Sequence, residues 1–275
     1  MRRLGVAPAK PDLPLHGWEP ASSPSPLLDA LSDAELVELN ALLPWNCFTV
    51  DARGRRFGAA AAVGKRDRPQ AIPDPRIVAL DRKVGLSGAS VLEIGCFEGV
   101  HTAGLCLFSP SVTAVDGRME NVVKTIVRTA MLGFHPTVFR CDVEDPAHSV
   151  LLPAVDVVHH VGVLYHLKDP VAHLRDIAGK TRRLLMLDTH VALPAEATAT
   201  FTSGGASYRC RRYEEFGRAD VFSGMYAHSI WLVLEDLVAI LASSGLPVID
   251  IVERRDERNG TRVLLYAERG QSPFS

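Results

Sequence analysis

Val91-Leu92-Glu93-Ile94-Gly95-Cys96-Phe97-Glu98-Gly99-Val100-His101-Thr102 is the stretch whose reading decides the fold. A short apolar run broken by one acidic residue predicts a buried parallel strand. Gly95 lets the backbone leave the strand tip sharply, and Gly99 lets a ligand or strand approach the start of the helix that follows. The spacing is Glu-x-Gly-x-x-x-Gly, with Phe97 where the dinucleotide fingerprint has a further glycine. A pyrophosphate wants that full fingerprint and a clean helix N-terminus. Glu93 near the strand end suits a cationic ligand better.

Beyond this turn, apolar runs alternate with helical stretches over short joints, which predicts an α/β, doubly wound sheet. Residues 112–115 form the second strand, ending in Asp116. An acidic residue about 20 positions past the glycine turn is where such folds bond a ribose diol. Residues 118–132 form a helix with Val122, Ile126 and Met131 inward. Thr137-Val138-Phe139 leads into Cys141-Asp142-Val143, residues 155–160 run on into Gly162-Val163-Leu164-Tyr165-His166, and residues 184–188 make a fifth strand. Residues 191–229 show no clear periodicity, and a stretch this long inside a compact domain is usually functional or disordered. Trp231 to Leu241 reads as an amphipathic helix, and a closing hairpin around Asn259-Gly260 completes seven strands with an antiparallel edge.

Upstream, residues 1–26 are a proline-rich arm. Ser32 and Glu35 form a capping box ahead of an apolar face of Leu36, Val37, Leu39, Leu42 and Leu43. Residues 45–68 suit a hairpin or lid, whose Arg53, Arg55, Arg56, Lys65, Arg66 and Arg68 read as a solvated face. Asp74-Pro75 caps a helix carrying Ile77, Val78, Leu80 and Val84. Two units follow: residues 1–73 on the acceptor side, and residues 74–275 as the main domain with a cap at 191–229.

The formal net charge of −2 over 275 residues gives no general attraction to nucleic acid or a membrane surface. Five scattered cysteines, never in a Cys-x-x-Cys pair, argue against a disulfide framework or structural zinc and fit a reducing cytoplasm. No apolar run reaches membrane-spanning length.

The turn, with acidic residues at Glu93, Asp116 and Asp142 after successive strands, resembles the class I S-adenosylmethionine (SAM) methyltransferases over residues 74–268. The resemblance implies a Rossmann-like sheet in which Gly95, Cys96 and Gly99 pass the methionine part of SAM. Asp116 would hold the ribose and Asp142 with Val143 the adenine, with Glu93 and His160 completing the cofactor set. Phe97 departs from the pattern and leaves the turn's contacts open. Gly162-Val163-Leu164-Tyr165-His166, the Arg53-Gly54-Arg55-Arg56-Phe57-Gly58 segment and a helix start at Ser229-x-Trp231 resemble enzymes that carboxymethylate the tRNA wobble uridine. They also resemble relatives that O-methylate sugars or natural products in actinomycetes. The charge balance favours the latter, with a small-molecule acceptor. The alternatives are the tRNA enzyme and a non-catalytic SAM-binding scaffold; a homo-oligomer is compatible with either.

Methyl transfer to an alcohol requires alignment and removal of a weakly acidic proton, by a positioned histidine or a metal ion. His159, His160, His166 and His190 fall at or beyond the ends of strands four and five, where open α/β sheets build sites. His160, His166 and His190 are accordingly the candidate bases. His166, Asp188 and His190 are the candidate ligands of a divalent metal, with Glu215 a further donor.

Overall fold

The computed structural model describes residues 11–61 and 66–270. Lys65 and the first ten residues of the proline-rich arm lie outside them. The N-terminal part comprises α1 (Pro26–Asp29), α2 (Asp33–Leu42) and a hairpin of β1 (Phe48–Val50) and β2 (Arg56–Gly58). Ser32 and Glu35 cap α2 reciprocally as their spacing requires. The apolar face of α2 is narrower than its leucines imply, because only Leu36 is buried while Val37 and Leu42 are exposed. Leu28, Leu36, Trp45 and Phe57 form this part's own core against the partly buried Met131 and Leu132. Burying each large side chain contributes about 1.5–3 kcal/mol.

The basic group is a solvated face at Arg53, Arg66 and Arg68, which are exposed, but not at Arg55. Arg55 is fully buried, donating to Asp51, to Asp33 and to the Leu31 carbonyl. It ties the hairpin to the start of α2.

The main domain opens with α3 (Pro75–Val84), capped by Asp74, then β3 (Ser90–Ile94), α4 (Val100–Cys106), β4 (Ser111–Asp116), α5 (Met119–Met131) and β5 (Thr137–Arg140). It continues through α6 (Pro146–Ser149), β6 (Val155–Val161), α7 (Pro170–Lys180) and β7 (Thr181–His190). Three strands, β8 (Ala199–Ser203), β9 (Ala206–Glu214) and β10 (His228–Leu232), form the insert, followed by α8 (Leu234–Ser243), β11 (Val248–Glu257) and β12 (Gly260–Glu268). The central sheet has the order β11-β12-β7-β6-β3-β4-β5. The five strands from β7 to β5 are parallel, and β12 runs antiparallel between β7 and the edge strand β11.

Strand parity divides the core. Leu92, Val158, Leu185 and Leu187 face α7 and α8, where Leu174, Ile177, Leu237 and Ile240 meet them. Val91, Val157 and Met186 face Ile77 and Leu80 of α3. Successive residues of a strand must point to opposite faces.

Three expectations shift. The insert is an ordered antiparallel sheet, β10-β9-β8, whose alternation was masked because neither face of residues 206–214 is strongly apolar. Trp231 lies in β10, and the last helix starts three residues later at Leu234. On α5, Ile126 is exposed, while Asn121, Val122, Lys124, Thr125, Arg128 and Thr129 are buried. Among the described residues no helix is long and apolar enough to cross a membrane.

Candidate active site

A cavity of about 850 Å³ opens at the carboxyl ends of β3, β4, β5 and β6. That is near the upper end of the roughly 300–1,000 Å³ usual for small-molecule sites. Gly95 leaves β3 at φ +79°, and a Cβ there would stand 2.2 Å from Val163 Cγ2. Phe97 takes φ +51°, a region a non-glycine residue enters only at a cost. Its amide donates to Asp116 Oδ2 at 3.1 Å, and its ring lies against Phe222 and under the Arg66 guanidinium. The turn therefore needs no third glycine, because contacts on both sides of Phe97 hold its backbone.

Gly95, Cys96, Asp116, Asp142 and Val143 all line this cavity. Asp116 accepts from Phe97 N, Arg118 N and Asn121 Nδ2, and burial raises its carboxyl above the ordinary value. Asp142 Oδ2 accepts from the Tyr226 hydroxyl at 3.0 Å, so the insert reaches the same carboxylate.

Three expected cofactor contacts fail for steric reasons. Gly99 lies against α5, where a Cβ would come within 2.9 Å of Thr125 Cα; its glycine serves helix packing. Glu93 points between β3 and α4 and accepts from Thr102 Oγ1. His160 is fully buried on the α7 face, its Nε2 2.9 Å from Nε2 of His173. That position removes His160 from the catalytic candidates as well, because no ring atom reaches the cavity.

The metal set His166, Asp188 and His190 is not assembled either. Asp188 is fully buried and engaged by Arg76, Arg255 and Arg262. Burial alone would raise its carboxyl; Arg262 and Arg76 hold it below the ordinary value. A carboxylate bound by three guanidiniums has no oxygen to offer an ion.

His166 and His190 do face the cavity. His166 Nδ1 is 2.8 Å from Glu215 Oε1, which also accepts from Ser229 Oγ at 3.0 Å. Burial pushes the Glu215 carboxyl up, but His166, the Gly224 amide and Ser229 outweigh it and keep the group below its ordinary value. The pair is a carboxylate-oriented imidazole, with Nε2 left to act on a ligand. His190 stacks on Trp231 at 4.8 Å between centroids, and its Nδ1 is 3.3 Å from the Thr261 carbonyl. Burial first, then Arg262, lowers its pKa.

Several site residues gave no signal in the sequence. Arg118 donates to the carbonyls of Gly217, Arg218, Asp220 and Ser223, fastening the segment that carries Phe222, Met225 and Tyr226 over the cofactor side. Only its place two residues after Asp116 hinted at it. Charge-assisted hydrogen bonds of this kind are each worth about 1.5–3 kcal/mol. Arg118→Ala should accelerate amide exchange across residues 216–226 by about 10- to 100-fold and leave β3 and β6 protected. Unchanged exchange in 216–226 would show that the arginine does not hold the segment.

Solved structures share this architecture. The N-terminal domain of EvdMO1 with S-adenosylhomocysteine (SAH) bound superposes with a TM-score of 0.72 at 23% identity, covering 87% of this chain and 98% of that domain. The same domain in the presence of SAH and D-fucose gives 0.70 at 22%, with the same coverage. Full-length EvdMO1 is covered over 47% of its length, so the chain spans about half of that protein. Magnesium protoporphyrin IX methyltransferase (ChlM) from Synechocystis PCC 6803, with bound SAH, gives 0.50 at 18% identity over 72% of this chain and 81% of that one. This is the class I methyltransferase fold. No protein-family model and no curated protein matches the chain. Within the methyltransferase fold, the cavity lies at the carboxyl ends of the parallel strands, where the strand order reverses between β3 and β6.

Proposed function

We propose that this chain is a SAM-dependent O-methyltransferase acting on a hydroxyl of a sugar or a glycosylated natural product. The observation that carries the reading is the His166–Glu215 pair, which shares one cavity with the glycine turn and Asp116. Bound SAM supplies an electrophilic methyl group on a sulfonium. Asp116, with a lone pair open on Oδ2, would accept from the ribose diol, and Asp142 and Val143 would line the adenine side. His166 Nε2 removes the acceptor's hydroxyl proton, and Glu215 stabilises the imidazolium that forms. The Arg118-fastened segment keeps water from the reacting atoms.

The far wall supports this acceptor class. Tyr165, Tyr213 and Trp231 stand beside Arg255, Glu257 and Arg262, mixing ring surface with donors and acceptors at close spacing. That suits a polyhydroxylated ligand better than a flat apolar one. EvdMO1's N-terminal domain, studied with D-fucose, supports the same direction. Arg66 and Gln70 also line the cavity, so residues 1–73 contribute to its wall.

The reading is tested with labelled SAM and two acceptor panels, deoxysugars with their glycosides and bulk tRNA. Transfer to a sugar hydroxyl is the expected result; transfer to tRNA alone would overturn it. In the same experiment Asp116→Ala should weaken SAM binding by about 1–3 kcal/mol through loss of charge-assisted bonds. Unchanged affinity by calorimetry would remove Asp116 from the cofactor site.

A further inference from the structure

Beneath the cavity floor, between the sheet and α4, lies a group of side chains that the transfer chemistry does not use. Glu93 of β3 and His159 of β6 are register partners on neighbouring parallel strands, so parity points both to the same face. His101, in the first turn of α4, covers them, its ring edge-on to His159 at 5.2 Å between centroids. One donor atom from each of the three lies within 4.8 Å of the other two. Glu93 and His159 are each 1% exposed.

The polar accounting of this group does not close. Thr102 donates to Glu93 Oε2, but Oε1 has no partner, and both ring nitrogens of His159 have none. A buried polar group left unpaired costs about 1–3 kcal/mol. With one donor atom of each side chain drawn together, the group is a set in want of a common partner. His101 is fixed from outside, with Asp74 Oδ2 at 3.3 Å and an Arg76 nitrogen at 3.2 Å from its Nε2. Asp74 is a carboxylate of the kind that orients metal-bound imidazoles.

We propose that Glu93, His101 and His159 bind one divalent transition-metal ion, with zinc the best match. Two imidazoles and one carboxylate are a donor set that zinc takes at about 2.0–2.2 Å. Octahedral oxygen-seeking ions such as Mg²⁺ are poorly served by two nitrogens. Coordination needs neutral imidazoles, and burial shifts both His101 and His159 in that direction. Burial also raises the Glu93 carboxyl to about 7, and a neighbouring dication would reverse that. Charge balances locally: Glu93 and Asp74 offset the ion, while Arg76 is paired with Asp74 and Asp188. His101 lines the main cavity, giving the ion a route in. Held there, the ion ties β3, β6 and α4 together under the glycine turn.

The test is metal content and competition binding on the full-length protein. Wild type should bind one equivalent of Zn²⁺ against a chromophoric chelator, and Co²⁺ in its place should show the visible absorption of a four- or five-coordinate site. Glu93→Gln and His159→Gln should each lose more affinity than the roughly 10–100-fold that removal of an outer-shell partner costs. His166→Ala should bind like wild type. Should the buried variants fail to fold, His101→Gln, at a less buried position, tests the same ligand set. Zn²⁺ should raise the melting temperature of wild type and not of His101→Gln. Absence of a tight equivalent in folded wild type overturns the proposal, and so does binding that survives His101→Gln or moves with His166→Ala.

Discussion

His166→Ala is expected to lower the methyl-transfer rate by about 10²–10⁴-fold, the usual contribution of a positioned general base. SAM affinity should stay unchanged if, as proposed, Gly95, Asp116 and Asp142 hold the cofactor and His166 meets the acceptor. Glu215→Gln should cost less than His166→Ala, since it keeps an acceptor near Nδ1 at 2.8 Å and loses only the charge that stabilises the imidazolium. His190→Ala separates the alternatives: it should perturb acceptor affinity through the lost stack on Trp231 and spare the rate at saturating acceptor. Single-turnover rates within twofold of wild type in His166→Ala would exclude this histidine as the base.

The second large effect concerns stability. Glu98, fully buried, accepts from the amides of Asn46 and Cys47, from Asn46 Nδ2 and from Lys124 Nζ. Lys124 and Arg128 are themselves fully buried. Arg128 donates to the Glu98 carbonyl at 2.6 Å and to Thr49 Oγ1 at 3.0 Å, and packs over Trp45. Removing the carboxylate leaves Lys124 with Glu120 and the Pro44 carbonyl, and Arg128 with neutral acceptors only, so breaking this buried charge cluster by Glu98→Ala should cost about 3–5 kcal/mol. That is a large share of a typical total of about 5–15 kcal/mol. Denaturant unfolding measures it, and a loss below about 1 kcal/mol would mean the charges find water or other partners. Acid should act on the same knot. Burial would raise the Glu98 carboxyl, but Lys124 and Arg128 overcome it and hold the group below its ordinary 4.5. Its contribution is therefore complete above that value and lost as pH falls through the folded pKa. Glu98→Gln should show a shallower loss of stability in acid than wild type.

The sheet and the cofactor turn were legible because strand ends, glycines and acidic residues carry local signals. Asp116 and Asp142 follow from position along the chain alone. The acceptor side was read less well. His159 and His160 are adjacent in sequence, yet parity sends one toward α4 and the other toward α7, and neither reaches the cavity. Proximity to a strand's carboxyl end does not say which way a ring points. Lys124 and Arg128 look like a solvated stripe on α5 because their partners arrive from residues 44–57, far back in the chain. Arg55 misled for the same reason. Glu215 pairs with His166 from 49 positions away in the chain, out of an insert whose strands have no apolar face to announce them.

Glu98 stands inside the glycine turn, while the amide of Asn46 that it holds comes 52 residues earlier. For hybrid enzymes assembled from related chains, a splice near residue 73 would therefore not separate an acceptor module from a cofactor module. It would import a foreign backbone against the carboxylate that shapes the turn. Exchanging the first 73 residues should succeed only when the residues matching Glu98, Lys124 and Arg128 travel with them.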